Sequence, residues 1–258
     1  MSLTPYWADE TVQLYLGDCR EVLPALGVKA DLICGDPPYG ETSLAWDRWP
    51  EGWLKTAAEV SSSLWCFGSM RMFLEHGAEF VTAKWKLSQD VIWEKHAGSG
   101  FQSDRFKRVH ESALHWYQGP WSEIHKEPIT EKCDSPSRGR VIRRGPTEHY
   151  GKQGQVGWVD EGIRLVRSVF HVRSMHGRAI HPTEKPIAIL DPLIRYACPE
   201  GGLVLDPFAG SSSTLVAARD SGRRAIGIEA NEEYAEKAAL RLSQAPLDLF
   251  AVESGEVL

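Results

Sequence analysis

Short apolar runs and helix-like segments alternate along most of this 258-residue chain. That alternation limits the possible folds more than any other feature. "TVQLYLGD" (11–18) alternates apolar and polar positions and exits on Gly-Asp, the form of a half-buried strand. "CREVLPALG" (19–27) reads as a short helix with an internal proline, closed by Gly27. "ADLICGD" (30–36) is a second strand. A helix from about Trp53 to Val60 then leads into a strand ending in "FGS". "MRMFLEHGAEF" is helical, and "KLSQDVIWEK" and "HESALHWYQG" are further strands. After a break the alternation resumes. A helix starts near Lys185 with Pro186 in its first turn, followed by the strand "GGLVLDPFAG" and a helix ended by Gly222. The strand "RRAIGIEA" and a helix capped by Asn231 complete the series. Strands alternating with helices predict an α/β fold, a largely parallel sheet covered by helices.

The break runs from residue 119 to residue 170. It is rich in Gly, Pro and charge and has little periodicity, and it is too long for a simple loop in a compact domain. We therefore expect a catalytic domain made of residues 1–118 and 171–258, with an inserted region at 119–170. Charge separates the same way. Residues 95–178 carry 15 Lys+Arg against 9 Asp+Glu, whereas the whole chain has a net charge of -6. A basic middle within an acidic chain points to a polyanionic partner, and Arg138, Arg140, Arg143 and Arg144 are the candidate contacts to phosphates or guanines. No apolar run approaches eighteen residues, and the first ten residues lack a signal-peptide pattern. The five cysteines show no CxxC spacing, so neither zinc nor a disulfide framework is expected, and a reducing cytoplasm fits.

Two strand ends carry the chemistry. In "DLICGDPPYG" an apolar strand stops on Asp36-Pro37-Pro38-Tyr39. The two prolines fix φ and remove two donors, so a carboxylate and a ring are held on stiff backbone. In "LVLDPFAGSSSTLVAA" a strand, a tight turn and a helix follow one another. The turn lets a ligand approach the backbone, and the helix start offers free N–H groups. About twenty residues on, Glu229 ends a strand, where an acid commonly bonds ribose hydroxyls. GxGxxG is absent, which weakens a nicotinamide or flavin reading.

Together, "DPPY", "HPTEKP" and "DPFAGSSS", with "LGDCREVLPAL" and "HESALHW", resemble the amino-methyltransferases that act on DNA, in the permuted beta arrangement. The resemblance spans residues 11–118 and 171–245. It implies a Rossmann-like S-adenosylmethionine-dependent fold, circularly permuted, with 119–170 as the target-recognition region. It implies that Asp36, Pro37, Pro38 and Tyr39 are catalytic, with Asp36 also bordering the cofactor. Asp206, Phe208, Gly210, Ser211 and Thr214 would cradle S-adenosylmethionine, and Glu229 would hold its ribose. Asp18 and Cys19 would meet the adenine, although a buried thiol is the other reading of Cys19. Lys185 would lie near the methionine carboxylate. Ser212 departs from the family, which usually has glycine there; a serine narrows the room but can also make a bond.

The implied reaction moves a methyl group to the N6 amino group of an adenine flipped out of double-stranded DNA. Cytosine N4 is the alternative, favoured by enzymes that carry serine in place of Asp36. A catalytically inactive DNA-binding relative is another. Methylation of RNA or of a protein amide usually goes with Asn-Pro-Pro-Tyr and an unpermuted order. Trp46, Trp49 and Trp53 are candidates for pocket wall or core, His110 and Glu111 match a segment near the target base, and His181 reads as structural. No membrane association is expected, and a homodimer is compatible with the resemblance.

Overall fold

The computed structural model describes residues 3–99 (the side chains of 97–99 excepted), 103–133, 162–175 and 184–244. Arg138, Arg140, Arg143, Arg144 and His181 lie outside the described residues. The chain forms two compact units, residues 1–127 with 168–258, and residues 128–167.

In the larger unit the elements run β1 (Trp7–Ala8), β2 (Val12–Leu16), α1 (Cys19–Leu26), β3 (Leu32–Gly35), α2 (Trp53–Val60), β4 (Ser63–Gly68) and α3 (Met70–Thr82). They continue as β5 (Lys86–Ser99), β6 (Arg108–Tyr117) and a single 3-10 turn (Trp121–Glu123). The smaller unit holds an antiparallel pair, β7 (Thr130–Lys132) and β8 (Ile163–Leu165). Then come β9 (Val169–His171), α4 (Ile187–Ala197), β10 (Leu203–Asp206), α5 (Ser213–Asp220), β11 (Arg224–Glu229) and α6 (Glu232–Leu242). The alternation read from the sequence is thus the observed order. Pro186 stands just before α4 as its N-cap rather than inside the first turn. The short strands β1, β7, β8 and β9 went unread, because two or three residues carry no periodicity.

One nine-stranded sheet forms the centre, in the order β1-β2-β11-β10-β3-β4-β6-β5-β9. The five strands from β2 to β4 are mutually parallel, and β6 runs antiparallel to β4 and β5. The late strands β10 and β11 therefore lie between the early strands β2 and β3. Side chains alternate across the sheet as the pleat requires. Leu32, Cys34, Trp65 and Phe67 face a core formed with α4, α5 and α6. Ile33, Leu64 and Cys66 face a second core with α1, α2 and α3. Both faces of the parallel strands are covered, which explains their continuous apolar runs. Burying so many large side chains, Trp53 and Trp65 among them, is the main favourable term, at about 1.5–3 kcal/mol per full-sized side chain.

The helix ends follow their sequence signals. Asp18 caps α1 by accepting the Arg20 N–H at 2.8 Å, and Gly27 closes it in the left-handed conformation (φ 63°) that suits glycine. Ser69 caps α3 and Asn231 caps α6. Close approach also uses glycine at one sheet position. A Cβ on Gly227 would lie 2.7 Å from Leu215, so this glycine lets α5 pack directly on β11.

Candidate active site

Parallel strands end on one edge of a sheet, so whatever follows β2, β3, β10 and β11 is gathered there. Those residues are Asp18, Asp36, Asp206 and Glu229. They share one cleft of about 900 Å³. Because β6 is antiparallel, its first residues reach the same edge, which brings in Glu111; the end of β5 brings in Lys95.

On the cofactor side, Asp206 is buried at the end of β10 and accepts the Phe208 N–H at 2.9 Å. Burial pushes its carboxyl up to about 7, against the opposing pull of hydrogen bonds from Thr214 and the Phe208 amide. Glu229 accepts the Gly210 N–H on one oxygen and the Asn231 N–H on the other, both at 2.8 Å. Burial raises its pKa, and those amides oppose the rise. The carboxylate thereby fastens the 207–212 turn to the end of β11. Arg241, in the last turn of α6, donates to Glu184 at 2.9 Å, to the Ser211 carbonyl at 3.1 Å and to the Ser213 hydroxyl at 3.0 Å. The turn is therefore held from two sides. Cys19 lines the cleft with a thiol that burial pushes up to about 12, so it is a neutral surface there, not a thiolate.

Ser212 has φ 60° and ψ 26°, the left-handed region where glycine is at ease, and it is wholly buried. Its hydroxyl finds no hydrogen-bond partner among the described residues. The cleft is lined by Ser211 and Ser213 but not by Ser212. The expectation that Ser212 narrows the cofactor space is thus corrected. Its side chain is turned into the protein, and its cost is to the fold.

On the catalytic side, Pro37 and Pro38 carry the chain out of β3 along the cleft. The Tyr39 hydroxyl donates to Asp36 Oδ1 at 2.6 Å, and Lys185 Nζ donates to Asp36 Oδ2. Lys185 also lies 3.4 Å from Glu111 Oε2, and Lys95 Nζ donates to Glu111 Oε1. Two acids and two ammonium groups thus form one chain of contacts, Asp36–Lys185–Glu111–Lys95. Burial raises the Asp36 pKa, and Lys185 works against the rise. Burial would raise Glu111 too, but Lys185 and Lys95 outweigh it and hold the carboxyl down at about 2. Lys185 stays an ammonium, since Asp36 and Glu111 outweigh its desolvation.

Every described residue that the sequence singled out for catalysis or cofactor binding lines this cleft, except Ser212. Trp46 and Trp49 line it as well. Trp53 is core, edge-on to Phe208 at 5.0 Å, while Trp49 stacks on His76 at 4.1 Å. Sequence reasoning missed Lys95, Arg241 and Asp47. Asp47 accepts the amides of Gly40 and Thr42 at 2.8 and 2.7 Å and so shapes the loop after Tyr39. Only "DPPYGETSLAWD", an acid a few residues beyond a turn, hinted at that role.

The N6_N4_Mtase family model, described as DNA methylase, matches residues 30–240. The chain belongs to this family. Among curated relatives, the Type II methyltransferase M.ScaI of Streptomyces caespitosus is 26% identical over 95% of this chain and 86% of its own length. Among solved structures, the M1.HpyAVI–SAM complex superposes with a TM-score of 0.64 at 22% identity, covering 90% of this chain and all of that one. The PvuII DNA methyltransferase, described as cytosine-N4-specific, also gives 0.64, at 12% identity over 97% of this chain and 93% of that one. At such identities the two structures speak for the fold alone. The buried Asp206 at the end of β10, the half-buried Glu229 at the end of β11 and the turn that lines the cleft fit an adenosyl cofactor.

Proposed function

We propose that this DNA methyltransferase moves a methyl group from S-adenosylmethionine to the N6 amino group of an adenine flipped out of double-stranded DNA. The observation that carries this reading is Asp36, held by Tyr39 and Lys185 at the end of β3, in the same cleft as Asp206 and Glu229. When bound, the cofactor supplies an electrophilic methyl on a sulfonium. The chain's own task is to prepare the nitrogen. An exocyclic amino group has its lone pair delocalised into the ring. Asp36 can accept one amino hydrogen and the Pro37 carbonyl the other. Two acceptors favour a pyramidal nitrogen over the flat ground state. The two prolines keep that carbonyl aimed, so orientation costs little during reaction. The Tyr39 ring offers a stacking face. A base inside a duplex cannot reach this cleft, hence the flipping.

Glu229 would hold the cofactor ribose, Asp18 and Cys19 would meet the adenine, and Asp206, Phe208, Gly210, Ser211 and Thr214 would cradle S-adenosylmethionine. The expected role of Lys185 at the methionine carboxylate competes with its contact to Asp36. Adenine is favoured over cytosine because relatives acting on cytosine N4 more often carry serine where this chain has Asp36.

The test is a methyl-transfer assay on unmethylated genomic DNA, followed by mass spectrometry of the digested nucleosides. N6-methyladenine is expected. N4-methylcytosine would overturn the base assignment. Asp36→Ala should cost about 3 kcal/mol of transition-state stabilisation, a hundredfold or more in rate, while cofactor affinity persists. Near-normal turnover by that variant would sink the mechanism.

A further inference from the structure

We propose that Glu111 is a positioning residue: it takes over the Lys185 ammonium when a target amino group engages Asp36. The inference rests on the methyl-transfer reading. Both Asp36 oxygens are engaged in the protein as it stands, one by the Tyr39 hydroxyl and one by Lys185. A carboxylate has further lone pairs, but one in contact with an ammonium is a weaker acceptor for a neutral amino group. Lys185 must therefore yield if Asp36 is to pull on the nitrogen. It cannot go to water, because it is buried. Among the described residues Glu111 is the second carboxylate beside it, with Oε2 at 3.4 Å from Nζ and no other hydrogen bond there. Its other oxygen is held by Lys95, which packs over the Trp93 ring at 4.6 Å. Glu111 is thus anchored at one oxygen and open at the other, and Lys185 can shift from one acid to the next without losing its counter-charge. A buried ammonium with only one carboxylate could not do so except at the cost of an unpaired charge.

The charged and titratable groups facing Asp36 are Tyr39, Lys185 and Glu111, with Cys34, Cys66 and Asp206 behind them and Lys95 beyond Glu111. Glu111 raises the Asp36 pKa and Lys185 lowers it. Glu111→Gln removes the first influence and takes away the second carboxylate that draws on Lys185. The Asp36 carboxyl, followed by NMR with labelled aspartate in the full chain, should then titrate at lower pH than in the wild type. The Glu111 charge acting through space contributes to that fall as well, so the titration is repeated in a Lys185→Met background, where Glu111→Gln should lower the midpoint less; an equal fall in both backgrounds would mean that the two acids do not share the ammonium.

The kinetic arm uses single-turnover methyl transfer on a duplex carrying the target site, once sequencing has mapped it. Glu111→Gln should slow transfer at least tenfold, with S-adenosylmethionine affinity, measured by calorimetry, within threefold of wild type. Glu111→Asp should recover part of the loss. In a Lys185→Met background, Glu111→Gln should cost nothing further, since no ammonium remains to be rehoused. An unchanged rate in folded Glu111→Gln, additive losses in the double variant, a weakened cofactor site, or an Asp36 midpoint that stays or rises would each overturn the proposal. If the wild type methylates no DNA, the functional reading fails by itself, and the carboxyl titration still decides whether Glu111 and Asp36 share Lys185.

Discussion

At the scale of single residues, Asp36 at the end of β3 takes its counter-ion, Lys185, from the far half of the chain. Asp36, Asp206 and Glu229 each follow an apolar run and precede turn residues, so local chemistry announces them. Lys185 meets Asp36 across 149 positions of sequence, and no local pattern encodes such a meeting. Ser212 is a different case. Its departure from glycine was visible, but its left-handed backbone and unpartnered hydroxyl were not. Ser212→Gly should relieve both and, after the entropy that glycine adds to the unfolded chain, stabilise the protein by roughly 1 kcal/mol. Thermal unfolding should rise by a few degrees; a lower midpoint would mean the serine packs better than its geometry suggests. His115 offers a test in pH. It is buried between the hydroxyls of Ser63 (3.0 Å) and Ser88 (2.6 Å), and burial pushes its ring down to about 4. The unfolded ring binds a proton near pH 6.5, so between there and about pH 4 the unfolded state holds more protons. This ring's contribution to stability is therefore present at neutral pH and is lost as pH falls through that window. Proton NMR should find the His115 resonance unshifted at pH 5.5.

At the scale of elements, the periodic ones were read correctly and the very short ones were not. α1 and α6 declare themselves through Asp18 and Asn231 at their starts, and β3 and β10 through their apolar runs. What joins the elements was less visible. Arg241 ties α6 to the turn before α5 and to Glu184 before α4, three pieces far apart in sequence. Breaking a buried ion pair from one side costs about 3–5 kcal/mol. Arg241→Leu should lower the urea midpoint accordingly and loosen the cofactor turn as well. Little change in either would mean that Glu229 alone holds that turn.

At the scale of the whole molecule, the excess of Lys+Arg in residues 95–178 sets the expected behaviour toward DNA. If Arg143 or Arg144 meets a phosphate, replacing it should weaken binding to all sequences alike and flatten the salt slope by about 1. If it reads guanine, specificity should relax at one base pair, and binding titrations at several salt concentrations distinguish the two. The sheet order has a further consequence, for synthesis. Asp31, at the start of β3, accepts the Leu203 amide at the start of β10, 172 positions later. Ribosomes add about 5–20 residues per second, so β3 emerges roughly 10 to 35 s before its partner exists. Throughout that interval the nascent chain presents two bare strand edges, on β2 and β3, that its own last third will eventually cover. The order that gathers the acids into one cleft thus leaves the growing polypeptide with strand edges open to pairing with its neighbours on a polysome.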